Sequence, residues 1–219
     1  MLRRSSAPFP TSNVSAALPA SFYARPTLDV ARDLIGMTLL HEAADGPAAG
    51  IIVEVEAYIG EDDPACHAAP GPTRRNQPLY GPPGLAYVYF NYGVHWLVNA
   101  VTEPRGFPAA VLIRALSPTC GIELMRARRA PRRDDLTGEW AGRDTDLCRG
   151  PGNLTRALGI TGAQNQATLS EGALRIEAAT RRATALPIAW SPRIGIRVGQ
   201  EQPWRAYVPG HAAVSGRPR

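Results

Sequence analysis

Apolar and polar positions alternate most regularly from Ala49 to Tyr58, where AGIIVEVEAY sets Ile51, Val53, Val55 and Ala57 on one side and Glu54, Glu56 and Tyr58 on the other. A period of two predicts a strand, here with two carboxylates and a phenol on one face. AYVYFNYG and VHWLVNAVT are both β-branched and aromatic and meet around Gly93, as two strands joined by a tight turn would. PAAVLIRAL, from Pro108 to Leu116, reads as a further buried strand interrupted only by Arg114, and ALRIEAA, RIGIRVG and WRAYV read as short strands.

Three stretches show the helical period instead. Thr27, with Asp29 in the first turn and Val30, Ala31, Leu34 and Ile35 before Gly36, predicts a capped amphipathic helix. Ser117 and Pro118 suit the N-cap and first position of a second helix running through Met125, with Arg126, Arg128, Arg129, Arg132 and Arg133 crowding its end. GPGNLTRALGI predicts a third, with Leu154, Ala157 and Leu158 on one face and Gly159 as the stop. No repeat or linker divides the chain. The expected fold class is α+β: a single compact domain, residues 21–219, with a curved, mainly antiparallel sheet core and a few flanking helices. Residues 1–20, rich in Ser, Ala and Pro, are expected to be a disordered tail.

Composition narrows this picture without changing it. At 219 residues and 44% hydrophobic content, the chain can bury one sizeable core. Its 24 basic and 19 acidic residues give a net charge of +5, which favours a polyanionic partner. Every basic side chain is arginine, so no side-chain amine is available for a Schiff base. Cys66, Cys120 and Cys148 are widely spaced and form no CxxC, which argues against a disulfide framework and for a reducing cytoplasm. Pro8, Pro10 and Pro19 interrupt the apolar run a signal peptide requires, and no later stretch is long and apolar enough to span a bilayer.

Several residues could carry chemistry. An unpaired arginine is costly in an apolar strand, so Arg114 must face a carboxylate, a polar site or a phosphate, with a salt bridge to Glu54 or Glu56 as the default. Spacing does not choose between the two acids, and a plain surface alternation explains them equally well. Tyr80, Tyr87, Tyr89 and Tyr92 form a dense aromatic group, fit either for core packing or for stacking on bases. The segment from Gly60 to Gly84 holds seven prolines and glycines in GPTRRNQPLYGPPG alone and predicts a long ordered loop of the kind that carries function. Within it, Asp62, Asp63, Cys66 and His67 are close together but match no familiar metal-ligand spacing.

Taken together, VEVEAYIGEDDPACHA, YVYFNYG, Asn99, VLIRALSP and GPGNLTRALGI, in that order, resemble the alkyladenine (3-methyladenine) DNA glycosylase family over about Leu28 to Val208. The resemblance implies a base-excision-repair enzyme that flips damaged purines out of double-stranded DNA and hydrolyses the N-glycosidic bond with a Glu-activated water. It places the catalytic glutamate on Glu56 and an arginine beside it on Arg114. Tyr58, His67 and Tyr89 fall where the family sandwiches the everted base, Asn99 where it crowds the amino group of guanine, and Tyr92 where it wedges into the duplex. The proline-rich ACHAAPGPTRRNQ departs from many family loops, so reaction class transfers more directly than substrate preference. No metal or other cofactor is implied, and a monomer acting on DNA is expected. With no lysine, the product should be an intact abasic site. Two further readings remain at this point: a non-catalytic nucleic-acid binding module in which Glu56 is structural, and a metal-dependent hydrolase built on Asp62, Asp63, Cys66 and His67.

Overall fold

The computed structural model describes residues 16–130, 139–178 and 186–216. Eight strands appear in chain order: β1 Thr38–Ala43, β2 Gly46–Ile59, β3 Ala86–Asn91, β4 His95–Val101, β5 Ala109–Cys120, β6 Leu174–Glu177, β7 Ala189–Ser191 and β8 Arg205–Tyr207. The helices are α1 Ala20–Tyr23, α2 Thr27–Leu34, α3 Ile122–Arg129, α4 Asp144–Leu147 and α5 Pro151–Leu158. The strands pair antiparallel in one sheet, ordered β3-β4-β5-β2-β1-β6, with β8 joining β2 and carrying β7. The expected α+β domain with a curved antiparallel core is what forms.

The alternation read in AGIIVEVEAY separates two environments. Val53, Val55 and Ala57 join Val88, Val98, Val111 and Ile113 in the main core, with Val30, Ala31 and Leu34 of α2 and Leu154, Ala157 and Leu158 of α5. The opposite sheet face is covered not by a helix but by the 60–84 loop, which adds Cys66, Ala68 and Leu79 to Tyr87, Val101 and Ala110. That loop is ordered as predicted, with one 3-10 turn over Gln77–Tyr80.

Strand register then sets one row of side chains. Tyr87 pairs with Asn99, Asn99 with Leu112, and Leu112 with Glu56, so four residues from four strands stand side by side on the loop-covered face. At about 4.8 Å per strand, such a row spans about 14 Å. A bulge leaves Val53 without a partner on β5, while Glu54 pairs with Ala115 and Val55 with Ile113, so Arg114 is directed between the two acids.

Four local readings are corrected. Thr27 is the first helical residue rather than the cap; Pro26 holds the cap position, and the carboxylate of Glu103 accepts from Thr27 N–H at 2.7 Å. A side chain 76 residues away does the capping, and no local pattern encodes that. Ser117 and Pro118 continue β5 instead of starting a helix. Pro118 is tolerated because it pairs with Gly50 beside a register shift, well past the Asn99–Val101 stretch where β4 borders β5. The helix begins four residues later, after Gly121 at φ 71. RIGIRVG forms no strand but an irregular segment of bends. Finally, residues 17–20 of the expected tail are docked: Leu18 is buried and its N–H donates to Ile176 O at 2.8 Å. Residues 1–15 lie outside the described residues. Among the described residues, no helix is long and apolar enough to cross a membrane.

Candidate active site

A cavity of about 520 Å³ opens over Tyr87, Asn99 and Leu112 of the row described above, a size typical of small-molecule sites. β3 supplies Tyr87 and Tyr89, β4 Asn99, β5 Leu112 and Arg114, and β2 Tyr58; the 60–84 loop closes one side with His67 and the irregular 194–198 segment the other. Tyr92 stands at the mouth.

The aromatic wall is mutually braced. His67 Nδ1 and Tyr87 Oη are 3.0 Å apart, the His67 and Tyr89 ring centroids 4.4 Å, and the Tyr87 and Tyr89 centroids 5.2 Å. Burial, reinforced by nearby Arg75, holds the His67 imidazole below the usual histidine range, so the ring is neutral at pH 7. Burial pushes the Tyr87 phenol up to about 12, against a pull from Arg75. The wall therefore presents uncharged rings, suited to stacking. Asn76 fixes its loop by donating from Nδ2 to the carbonyls of His67 at 2.7 Å and Gly71 at 2.9 Å. Asn99 donates from Nδ2 to Tyr87 O at 2.9 Å, which fixes its amide at the floor.

Glu56 is fully buried and does not itself form the cavity surface. Its Oε1 accepts from Ile194 N–H at 2.6 Å, and its Oε2 from Tyr58 Oη at 2.9 Å and Arg114 Nη1 at 3.1 Å. All three donors belong to residues that do form the surface. The carboxylate thus lies one side chain behind the wall, with Oε2 bonded to the two polar groups that face the cavity. Burial next to Glu56 raises the Tyr58 phenol far above its ordinary value, leaving it a hydrogen-bond donor at any working pH.

Glu54 has a different environment. Its Oε1 accepts from Arg114 Nε at 3.0 Å, Arg205 Nε at 2.7 Å and Ser215 Oγ at 2.9 Å, and its Oε2 from Ser215 N–H at 2.6 Å. Two carboxylates and two guanidiniums make this buried cluster neutral, which is the condition for burying charge at tolerable cost. Both salt bridges considered for Arg114 form, one to each acid.

The structure brings Tyr58, His67, Tyr89, Asn99, Arg114 and Tyr92 around one cavity with Glu56 behind it. Tyr92 is 88% exposed at φ 48, at the tip of the β3–β4 hairpin beside exposed Phe90 and Val94. The four candidate metal ligands do not converge: Asp63 is engaged twice by Arg193, at 2.6 and 2.8 Å, and no group of three His, Cys, Asp or Glu fit to hold a metal occurs among the described residues. Of the arginines at the end of α3, Arg126 pairs with Glu123 and Asp144, Arg128 with Asp45, and Arg129 lies over Trp140; Arg132 and Arg133 lie outside the described residues. The residues missed in the sequence are Asn76, Arg193 and the 194–198 segment. An arginine flanked by apolar residues was a usable signal for Arg193, as it was for Arg114; Asn76 carried none.

The model of the methylpurine-DNA glycosylase (MPG) family matches residues 21–212. The chain belongs to this family. Similar family members, all with the provisional name 3-methyladenine DNA glycosylase, come from Burkholderia lata (50% identical, 92% of each chain), Rhodopseudomonas palustris strain CGA009 (47%, 93% of each) and Chlorobium phaeobacteroides (45%, 91% of this chain and 96% of the relative). The family match spans every strand of the sheet and both walls of the cavity.

Proposed function

We propose that this methylpurine-DNA glycosylase everts a damaged purine from duplex DNA into the cavity and hydrolyses its N-glycosidic bond with a water activated by Glu56. The observation that supports the reading is the cavity and what lies behind it: the rings of Tyr58, His67 and Tyr89 and the fixed Asn99 amide line one space of about 520 Å³, with the buried Glu56–Arg114 ion pair directly behind its wall.

Extrusion costs a few kcal/mol, less where the lesion weakens pairing. Tyr92 fills the vacated space, and stacking against Tyr58, Tyr89 and neutral His67 offsets the cost. Asn99 sits where a purine edge would meet the floor and excludes the exocyclic amine of guanine. As the sugar–base bond lengthens, positive charge grows on the sugar, and a nearby carboxylate stabilises it while accepting a proton from water. Glu56 has Oε1 anchored by Ile194 N–H and Oε2 bonded to the cavity side chains; when Tyr58 turns to stack on the base, its place at Oε2 passes to the water. Arg114 keeps the carboxylate oriented throughout. Alkylated purines leave readily because they already carry positive charge, and hypoxanthine and ethenoadenine belong to the same substrate class. With no lysine to attack the sugar, the product is an intact abasic site.

The three hydrogen bonds to Glu56 also suit a purely structural carboxylate in a binding module without chemistry, and one experiment separates the two. Base release is followed under single-turnover conditions on duplexes carrying 3-methyladenine, hypoxanthine or ethenoadenine. The wild type should release base and leave the strand uncut, also in the presence of chelator. Glu56→Gln should lose about 10²–10⁴-fold in rate with lesion-duplex affinity retained. Binding without release by the wild type, or release undiminished by the substitution, would overturn the reading.

A further inference from the structure

Arg193 takes no part in the reaction as drawn above, yet it is the most completely enclosed guanidinium near the cavity. Its Nη1 donates to Asp63 Oδ2 at 2.6 Å and Ala57 O at 3.0 Å, and its Nη2 to Asp63 Oδ1 at 2.8 Å and Gly199 O at 3.2 Å. Neither side chain of the pair is exposed at all. The guanidinium carbon lies 4.7 Å from the Tyr58 ring centroid on β2 and 5.1 Å from that of Trp204. Asp63 in turn accepts from Ile59 N–H at 3.2 Å and Ala65 N–H at 3.1 Å. One planar fork therefore ties together the strand carbonyl between Glu56 and Tyr58, the start of the loop that carries His67, and both ends of the 194–198 segment. The next residue along the chain is Ile194, whose N–H anchors Glu56 Oε1 at 2.6 Å.

A buried ion pair is in general weak evidence for stability, because desolvation offsets most of the attraction. What a bidentate, stacked guanidinium supplies is geometry. The 194–198 segment has no strand or helix of its own to hold it, so its position depends on such side-chain ties.

We propose that the Arg193–Asp63 pair is a positioning element for base release: by fixing the 194–198 segment it keeps Ile194 N–H on Oε1 of Glu56 and leaves Oε2 as the oxygen available to the cavity. The inference rests on the assignment of Glu56 as the general base. It makes the pair act through another residue rather than touch substrate, so its loss should slow chemistry without weakening binding.

The test replaces the pair by apolar residues of similar size, Arg193→Met with Asp63→Leu, which avoids stranding a buried charge. Single-turnover base release, affinity for a duplex with an abasic-site analogue, and thermal melting are measured in this double variant, in Glu56→Gln and in the triple combination. The double variant should melt cooperatively, release base about 10- to 100-fold more slowly, and bind the duplex within about threefold of wild type, while adding no further loss on top of Glu56→Gln. Should it fail to fold, Asp63→Glu, which keeps the charge but changes its reach, is measured in the same way and should show the same separation of rate from affinity. Wild-type rate in the variant, a loss fully accounted for by affinity, or a loss that multiplies with that of Glu56→Gln would overturn the positioning role alone. Undiminished release by Glu56→Gln would remove both the general-base assignment and this inference.

Discussion

Burial gives individual side chains at the cavity protonation states that their types alone do not determine. His67 is the clearest case: enclosed by Tyr87, Tyr89 and the loop backbone, with Arg75 nearby, it binds a proton less readily folded than unfolded. Its contribution to stability is therefore complete above the ordinary histidine pKa of about 6.5 and declines as the pH falls below it. His211, also lowered by burial, acts in the same direction. Urea midpoints at pH 8 and pH 5.5 should consequently fall further on acidification in the wild type than in His67→Gln. An identical fall in both would show that the drop arises elsewhere. Identity at single positions was only half legible in the sequence. The cost of burying Arg114 pointed to an acid, but only the bulge at Val53 shows that it serves both Glu54 and Glu56, and only the family resemblance separates the roles of the two.

At the scale of elements, the β3–β4 hairpin and the β5–α3 junction place the features that matter. The hairpin was readable from its aromatic and β-branched runs around Gly93. It holds Tyr92 in a left-handed conformation with its ring in solvent, the placement that the proposed wedge needs. Tyr92→Ser should lower the population of everted base, read with a fluorescent base analogue, by about 5- to 150-fold, the range of one stacking interaction, while affinity for undamaged duplex changes little. Equal losses in both would remove the wedge. At the junction, Ser-Pro mimics a helix start, yet the strand runs on to Cys120 because β2 is long enough to pair with it. The chain turns only at Gly121, where φ is 71 and a Cβ would overlap the Pro47 carbonyl oxygen. Gly121→Ala should cost at least about 1–2 kcal/mol from the left-handed backbone alone, seen as a lower urea midpoint with an unchanged slope. Full stability would mean that the junction can shift.

Across the whole molecule, the buried charge cluster connects regions far apart in sequence. Glu54 on β2, Arg114 on β5, Arg205 on β8 and Ser215 share one set of hydrogen bonds, so the segment around Ser215 is fastened to the middle of the sheet. Glu54→Gln leaves two guanidiniums facing one carboxylate and should destabilise the fold by about 3–5 kcal/mol, measured by chemical denaturation. A loss below about 1 kcal/mol would show that the segment around Ser215 contributes little to holding the sheet. Of these four residues Arg114 reaches the cavity surface, and Glu54 and Ser215 hold it from behind while Ile194 holds Glu56 from the other side.

The sequence by itself determined the elements whose cause is local: the alternation of β2, the hairpin, the start of α5 at Pro151 and its stop at Gly159, and, through motifs kept in order, the family. Tertiary structure alone decided which residues from distant segments meet. The cap on α2 comes from Glu103 and the tie on the 194–198 segment from Asp63, each through a contact that no period of two or 3.6 encodes. Periodicity reports which face of an element is buried; it carries no information about what will be packed against that face. That is why the strand bearing Glu56 could be read from the chain, while the donors that surround its carboxylate could not.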